Sequence, residues 1–308
     1  MIHAQALTKR FGAKVAVDGI DFSVAAGRVT GFLGPNGAGK STTMRMIVGL
    51  DRPTSGSVTV DGRRYQDLRA PLRDVGVLLD ARAVHPGRTA RDHLLAMAAT
   101  HRIGARRVDE VIGLTGLDPV ARKRVRGFSL GMGQRLGLAA ALLGDPATLI
   151  LDEPVNGLDP EGVVWVRELA RGLAAEGRTV LLSSHLMSEM AQTAEHLIIL
   201  GRGRIVADAP ISEIIAGAAG DTVRVRSNDA DRLGGVLAAQ GAGVTRAEGD
   251  RLTISGMTAS RIAEIAAESR LVIHELTPVS TTLEEAYMEL TREEVEYTTT
   301  ENRPESAR

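Results

Sequence analysis

The stretch GPNGAGKS, residues 34–41, has the glycine spacing of a loop that wraps a phosphate, G-x-x-x-x-G-K-[ST]. Gly34, Gly37 and Gly39 let the backbone curl, and with Pro35, Asn36 and Ala38 they form a cradle whose N–H groups face an anion. Lys40 reaches the outer phosphate oxygens, and Ser41, followed by Thr42, offers a hydroxyl to magnesium. A short apolar strand, VTGFLG, precedes the loop and a helical run, GKSTTMRMIVGL, follows it, which is the context this chemistry needs.

Three more stretches supply complementary groups. LILDEP, residues 149–154, is an apolar strand ending in two adjacent carboxylates, which a strand core tolerates only where they face a cleft or an ion. Asp152 suits a magnesium ligand, largely through water, and Glu153 suits a general base for an attacking water. Read alone, the pair could equally close a strand-end turn. LLSSH, residues 181–185, ends another apolar strand at His185; a surface histidine and a contact to a terminal phosphate are both open readings. FSLGMGQR, residues 128–135, opens a helix with Ser129 as its cap and Gly131 and Gly133 in its first turn, a second end whose open N–H groups favour an anion.

In this order the stretches resemble the nucleotide-binding subunit of an ABC (ATP-binding cassette) transporter. FSLGMGQR is similar to the family signature LSGGQxQR, with Ser129, Gly131, Gln134 and Arg135 on matching positions and Leu130 and Met132 in place of a glycine and a glutamine. NGLD, residues 156–159, matches the loop after the acidic strand, and His185 matches the switch histidine. The resemblance spans residues 1 to about 215. Its finer features, with a C-terminal part ending in TLEEAYMEL, are similar to the bacterial drug-export subgroup of the daunorubicin-resistance type. It implies ATP with magnesium, and a nucleotide contacted by residues 34–42, by Asp159, and by Ser129 and Gly131 of a second copy paired head to tail. Catalytic roles fall on Lys40, Glu153 and His185, and metal-binding roles on Ser41 and Asp152. Phe11, in KRFG, is placed to stack on adenine, against the alternative of a packed strand residue. Where the family has a glutamine, VGVLLDARAVHPGR has Asp80, which could bind magnesium or cap the turn that follows; residues 81–93 would then face a membrane partner.

These groups need a scaffold. Apolar strands alternating with helical stretches predict a mostly parallel α/β sheet covered on both faces; the resemblance implies a P-loop ABC cassette with an antiparallel N-terminal β part. A helical subdomain is expected at about 84–145, within an ATPase domain over 1–216. From 217 the order changes to strand–helix–strand–strand–helix–strand, which predicts a small α+β ferredoxin-like domain over 217–292, before a polar tail at 293–308.

Composition narrows the partners. The formal net charge is −1 and aromatic residues make up 3%, so neither a basic field nor stacking platforms recruit nucleic acid. The arginines of RRVDEVIGL and ARKRVRG read as a solvated face. Cysteine is absent, excluding disulfides and thiolate sites. With no signal peptide and no apolar run of about 18 residues, the expected location is the cytoplasmic face of the membrane, held there by a separate polytopic permease. The expected function is ATP hydrolysis powering efflux of a drug, antibiotic or lipid-like substrate. The alternative is a soluble, non-transport ABC ATPase acting on ribosomes, DNA or assembly.

Overall fold

A computed structural model describes residues 1–80, 83–218, 222–246, 249–278 and 282–291. The tail expected at 293–308 lies outside the described residues, as do Ala81 and Arg82 of the segment expected to face a partner. The chain divides into two compact units: the first comprises Met1–Ile211 and, among the described residues, Leu290 and Thr291, and the second is Ser212–Glu289. The division falls five residues before the boundary read from sequence. It follows the last strand of the first unit, which ends at Pro210; the helix that starts there carries no signal that the sequence reading used.

The first unit opens with β1 (Ile2–Phe11), β2 (Lys14–Val24), β3 (Val29–Leu33), α1 (Lys40–Ile47) and β4 (Ser55–Val60). A short α2 (Pro71–Asp74) leads into β5 (Val75–Leu78). Then come α3 (Ala90–Thr100), α4 (Ala105–Leu114) and α5 (Leu130–Leu142), the helical part expected from sequence. The unit finishes with β6 (Thr148–Leu151), α6 (Pro160–Ala175), β7 (Thr179–Ser183), α7 (Met187–Thr193), β8 (His196–Gly201) and β9 (Arg204–Pro210).

β3, β6, β7 and β8 are buried along their whole length, as strands covered on both faces must be. They lie in a six-stranded sheet of order β5-β6-β7-β3-β8-β9, parallel except for the edge strand β9. The phosphate loop leaves β3 at the centre of this sheet, and the acidic pair leaves β6 two strands away. Both therefore emerge at the carboxyl ends of parallel strands, where open α/β sheets place ligands. Helices pack tightly against the sheet through missing side chains. A Cβ at Gly76 would collide with the Ala141 carbonyl of α5, and one at Gly31 with the Met190 sulfur of α7. β2-β1-β4 form a separate antiparallel sheet. Its inward residues Ile2, Leu7 and Val24 join Phe32, Met44 and Ile150 in one core, at about 1.5–3 kcal/mol per buried large apolar side chain.

The second unit holds most of α8 (Ile211–Ala218), then β10 (Thr222–Ser227), α9 (Ala230–Ala239), β11 (Gly243–Arg246), β12 (Arg251–Ser255), α10 (Ala259–Glu268), β13 (Ile273–Pro278) and α11 (Leu283–Leu290) as far as Glu289. Its antiparallel sheet has the order β11-β12-β10-β13, the interleaved arrangement of a ferredoxin-like βαββαβ unit. Val225, Leu233, Leu237, Ile254 and Ile262 fill its own core. No helix among the described residues is long and apolar enough to cross a membrane.

Candidate functional site

The phosphate loop is shaped by conformations that only glycine adopts cheaply. Gly34 has φ +155° and a Cβ there would lie 2.5 Å from the Leu200 carbonyl; Gly39 has φ +108° and would meet the Ala16 carbonyl at 2.6 Å. Gly39 is the cap residue of α1, so the helix starts at Lys40 with its N–H groups facing the loop. The Lys40 ammonium is folded back into the loop, donating to the Gly34 carbonyl at 2.6 Å and the Pro35 carbonyl at 3.2 Å. Burial pushes the Lys40 ammonium below its usual range, while the Glu153 and Asp152 charges partly oppose that shift.

The acidic pair is held from two sides. The Ser183 hydroxyl donates to the Asp152 carboxylate and accepts the Glu153 backbone N–H at 2.9 Å. The Gln134 side-chain amide donates to the Glu153 carbonyl at 2.8 Å. Between these anchors Glu153 sits at φ +49°, a left-handed conformation that costs a non-glycine residue about 1–2 kcal/mol. His185 Nδ1 lies 2.8 Å from the Glu153 carboxylate.

A cavity of about 680 Å³ brings Lys40, Asp152, Glu153 and Gln134 together, while His185 lies outside its lining and meets the site through Glu153. Asn36, Gly37, Gly39, Lys40, Ser41 and Thr42 line one side, and Asp80, Asp152 and Glu153 the other. Phe11 lies at its edge, half-exposed, with the Lys9 ammonium 4.9 Å from the ring centre. Asp80 also turns the chain, its carbonyl accepting the Ala83 N–H at 3.2 Å. Oxygen donors from Ser41, Asp80 and Asp152 on one cavity suit a hard divalent cation such as magnesium.

The other sequence candidates lie outside this cavity. Ser129 caps α5, its hydroxyl accepting the Met132 N–H at 3.2 Å. It lines a different hollow of about 270 Å³ with Val84, Pro86, Phe128 and Leu130. Gly131 meets a requirement within its own chain, since a Cβ there would lie 2.7 Å from the Gly157 carbonyl. Asp159 caps α6, accepting the Gly162 N–H at 2.9 Å. Gly34, Pro35 and Ala38 act from beneath the loop: the Pro35 carbonyl accepts from both Lys40 and the Ala38 N–H. Sequence reasoning assigned no role to Ser183; the hydroxyls of LLSSH at a strand end were its only signal.

A family model described as ABC transporter matches residues 17–156, and one described as a domain of unknown function matches 221–284. The bacitracin transport ATP-binding protein BcrA of Bacillus licheniformis is 41% identical over 213 residues, covering 68% of this chain and 69% of its own. The daunorubicin resistance ATP-binding protein DrrA3 of Streptomyces coeruleorubidus is 34% identical over 294 residues, covering 92% of this chain and 93% of its own. The chain belongs to the ABC transporter ATP-binding proteins. A solved ATP binding subunit of an ABC transporter matches with a TM-score of 0.65 at 25% identity, over 70% of this chain and 92% of that one. As an ABC cassette the chain is an ATPase coupled to transport, similar to the drug-export subgroup.

Proposed function

We propose that this ABC ATPase powers an exporter of a drug-like or antibiotic substrate, working as a head-to-tail dimer against a separate membrane permease on the cytoplasmic side. The observation that carries the reading is the cavity that joins Lys40, Ser41, Asp152 and Glu153 at the carboxyl ends of parallel strands. The transport class is supported by the bacitracin, daunorubicin and lantibiotic names of its relatives. The dimer is supported by the outward placement of Ser129, exposed and outside the phosphate-loop cavity.

In this reading ATP lies with its adenine on Phe11 and its phosphates along 34–42. Lys40 exchanges its carbonyl partners Gly34 and Pro35 for phosphate oxygens. Ser41 and Asp152, with Asp80 beside them, would hold magnesium, which when bound neutralises phosphate charge. Glu153 takes the proton of the attacking water, and His185, bonded to its carboxylate, fixes that carboxylate and reaches the terminal phosphate. Ser129 and Gly131 close the site of the partner copy, and Asp159 lies near that junction. Catalysis is by positioning and electrostatics, with no covalent intermediate.

Glu153→Gln tests the assignment. Loss of the general base lowers ATP turnover by about 10²–10⁴-fold, ATP binding is kept, and a nucleotide-bound dimer accumulates on gel filtration. Turnover near that of the wild type would remove Glu153 from the chemistry.

A further inference from the structure

Gln134 stands on α5, five residues after Ser129, yet its side chain is buried and reaches across to the Glu153 carbonyl in the same chain. The helix whose first turn faces outward is thereby bonded to the peptide of the candidate general base. On the other side of the Glu153 Cα, the Ser183 hydroxyl accepts the Glu153 N–H of the preceding peptide group, and its proton goes to Asp152. Both grips are needed for a physical reason. Glu153 occupies φ +49°, where a non-glycine residue relaxes toward right-handed or extended geometry unless its neighbours hold it. Relaxation would swing its carboxylate away from His185 and from the cavity. Arg135, the next signature residue, points elsewhere. It donates to the Thr115 carbonyl at 3.1 Å and lies 5.3 Å from the centre of the Trp165 ring, joining α5 to the end of α4 and to α6. Its guanidinium also lies 3.9 Å from the Asp159 carboxylate, at the far end of the loop that leaves β6, whereas Gln134 bonds Glu153 itself.

We propose that Gln134 and Ser183 are positioning residues that clamp the Glu153 backbone, and that Gln134 transmits the position of the signature helix α5 to the general base of its own chain. The proposal rests on the reading of Glu153 as that base. Because the Gln134 bond ties α5 to Glu153, a shift of α5 when Ser129 and Gly131 engage the partner copy's ATP would be carried to Glu153. One chain's contact with its partner's nucleotide thus adjusts hydrolysis at its own nucleotide.

The test uses the full chain with Gln134→Met, which keeps length but removes the donor, together with Ser183→Ala, Ser183→Thr and Glu153→Gln as control. Gln134→Met and Ser183→Ala are expected to lower kcat at least tenfold with the KM for ATP and the affinity for a fluorescent ATP analogue unchanged. Amide hydrogen exchange in the peptide around 152–157 rises several-fold in both without nucleotide, and Ser183→Thr restores both readouts. A merely structural role would instead lower Tm and ATP affinity together and leave exchange of this peptide tied to global unfolding; that pattern overturns the clamp. Glu153→Gln inactive beside Gln134→Met and Ser183→Ala at wild-type turnover also overturns it while the general-base reading stands. Glu153→Gln at wild-type turnover removes the general base itself.

Discussion

Gly131→Ala separates two reasons for a small residue in the signature turn. If the glycine serves only contact with a nucleotide on another copy, the isolated chain should not register the change. The structure says otherwise: the new Cβ would stand 2.7 Å from the Gly157 carbonyl oxygen, about 0.6 Å inside the ordinary contact distance of 3.3 Å or more. A backbone carbonyl cannot rotate away as a side chain would, so α5 or the 156–159 loop must shift. Overpacking of this kind costs typically 1–3 kcal/mol. Replacing a helical glycine returns at most about 1 kcal/mol through lower backbone entropy. With the rigid carbonyl placing the clash near the upper end, the net loss is about 2 kcal/mol. For a urea slope of about 2 kcal/mol/M, the unfolding midpoint falls by about 1 M. The assay is urea unfolding of the nucleotide-free chain followed by circular dichroism. Gly157→Ala is the companion: it has φ +74°, and its Cβ would meet the Leu130 side chain at 2.5 Å. Leu130→Ala should relieve part of that second clash, so the Leu130–Gly157 pair is non-additive, whereas Leu130→Ala leaves the Gly131 penalty in place. A nucleotide-free Gly131→Ala chain as stable as the wild type would refute the packing argument.

Three further outcomes follow from the same geometry. Phe11→Ala should weaken ATP and GTP by the same factor, about 2- to 13-fold, because stacking of about 0.5–1.5 kcal/mol reads a flat face and no base edge; titration with both nucleotides checks this, and an unequal loss would disprove it. Burial and the nearby Arg88 charge hold the His93 imidazole of α3 below its usual range, and its Nδ1 has no hydrogen-bond partner among the described residues. The native state then binds fewer protons than the unfolded chain just below pH 6.5, so stability falls on acidification through that range; thermal unfolding of His93→Gln should depend less on pH between 7 and 5. Asp80→Ala should raise the magnesium concentration needed for half-maximal turnover, as Asp80 lines the cavity with Ser41 and Asp152; an unchanged magnesium curve would remove Asp80 from the magnesium site.

Much of this protein is legible along the chain because its information is local. The phosphate loop depends on glycines within eight consecutive residues, and β3 and β6 are recognisable as short, largely apolar runs, one ending at a glycine and the other at two carboxylates. The order of the second unit's elements likewise appears in period and turn residues alone. Leu130 is only a departure from a pattern in the sequence, whereas in the fold its side chain covers Gly157. Asp159 matches a nucleotide contact by position, and in the single chain it is the cap of α6.

The sequence by itself determined which chemical groups exist and which strands and helices present them, since backbone propensity and burial pattern act over a few residues. Only the tertiary structure decided which of those groups meet. Gln134 and Glu153 are 19 positions apart and Glu153 and Ser183 are 30, and no local preference ties them. They are joined because β6 and β7 are neighbours in the sheet and α5 packs beside the loop that leaves β6. Those long-range contacts hold Glu153 at φ +49°, a geometry that its own sequence neighbourhood disfavours.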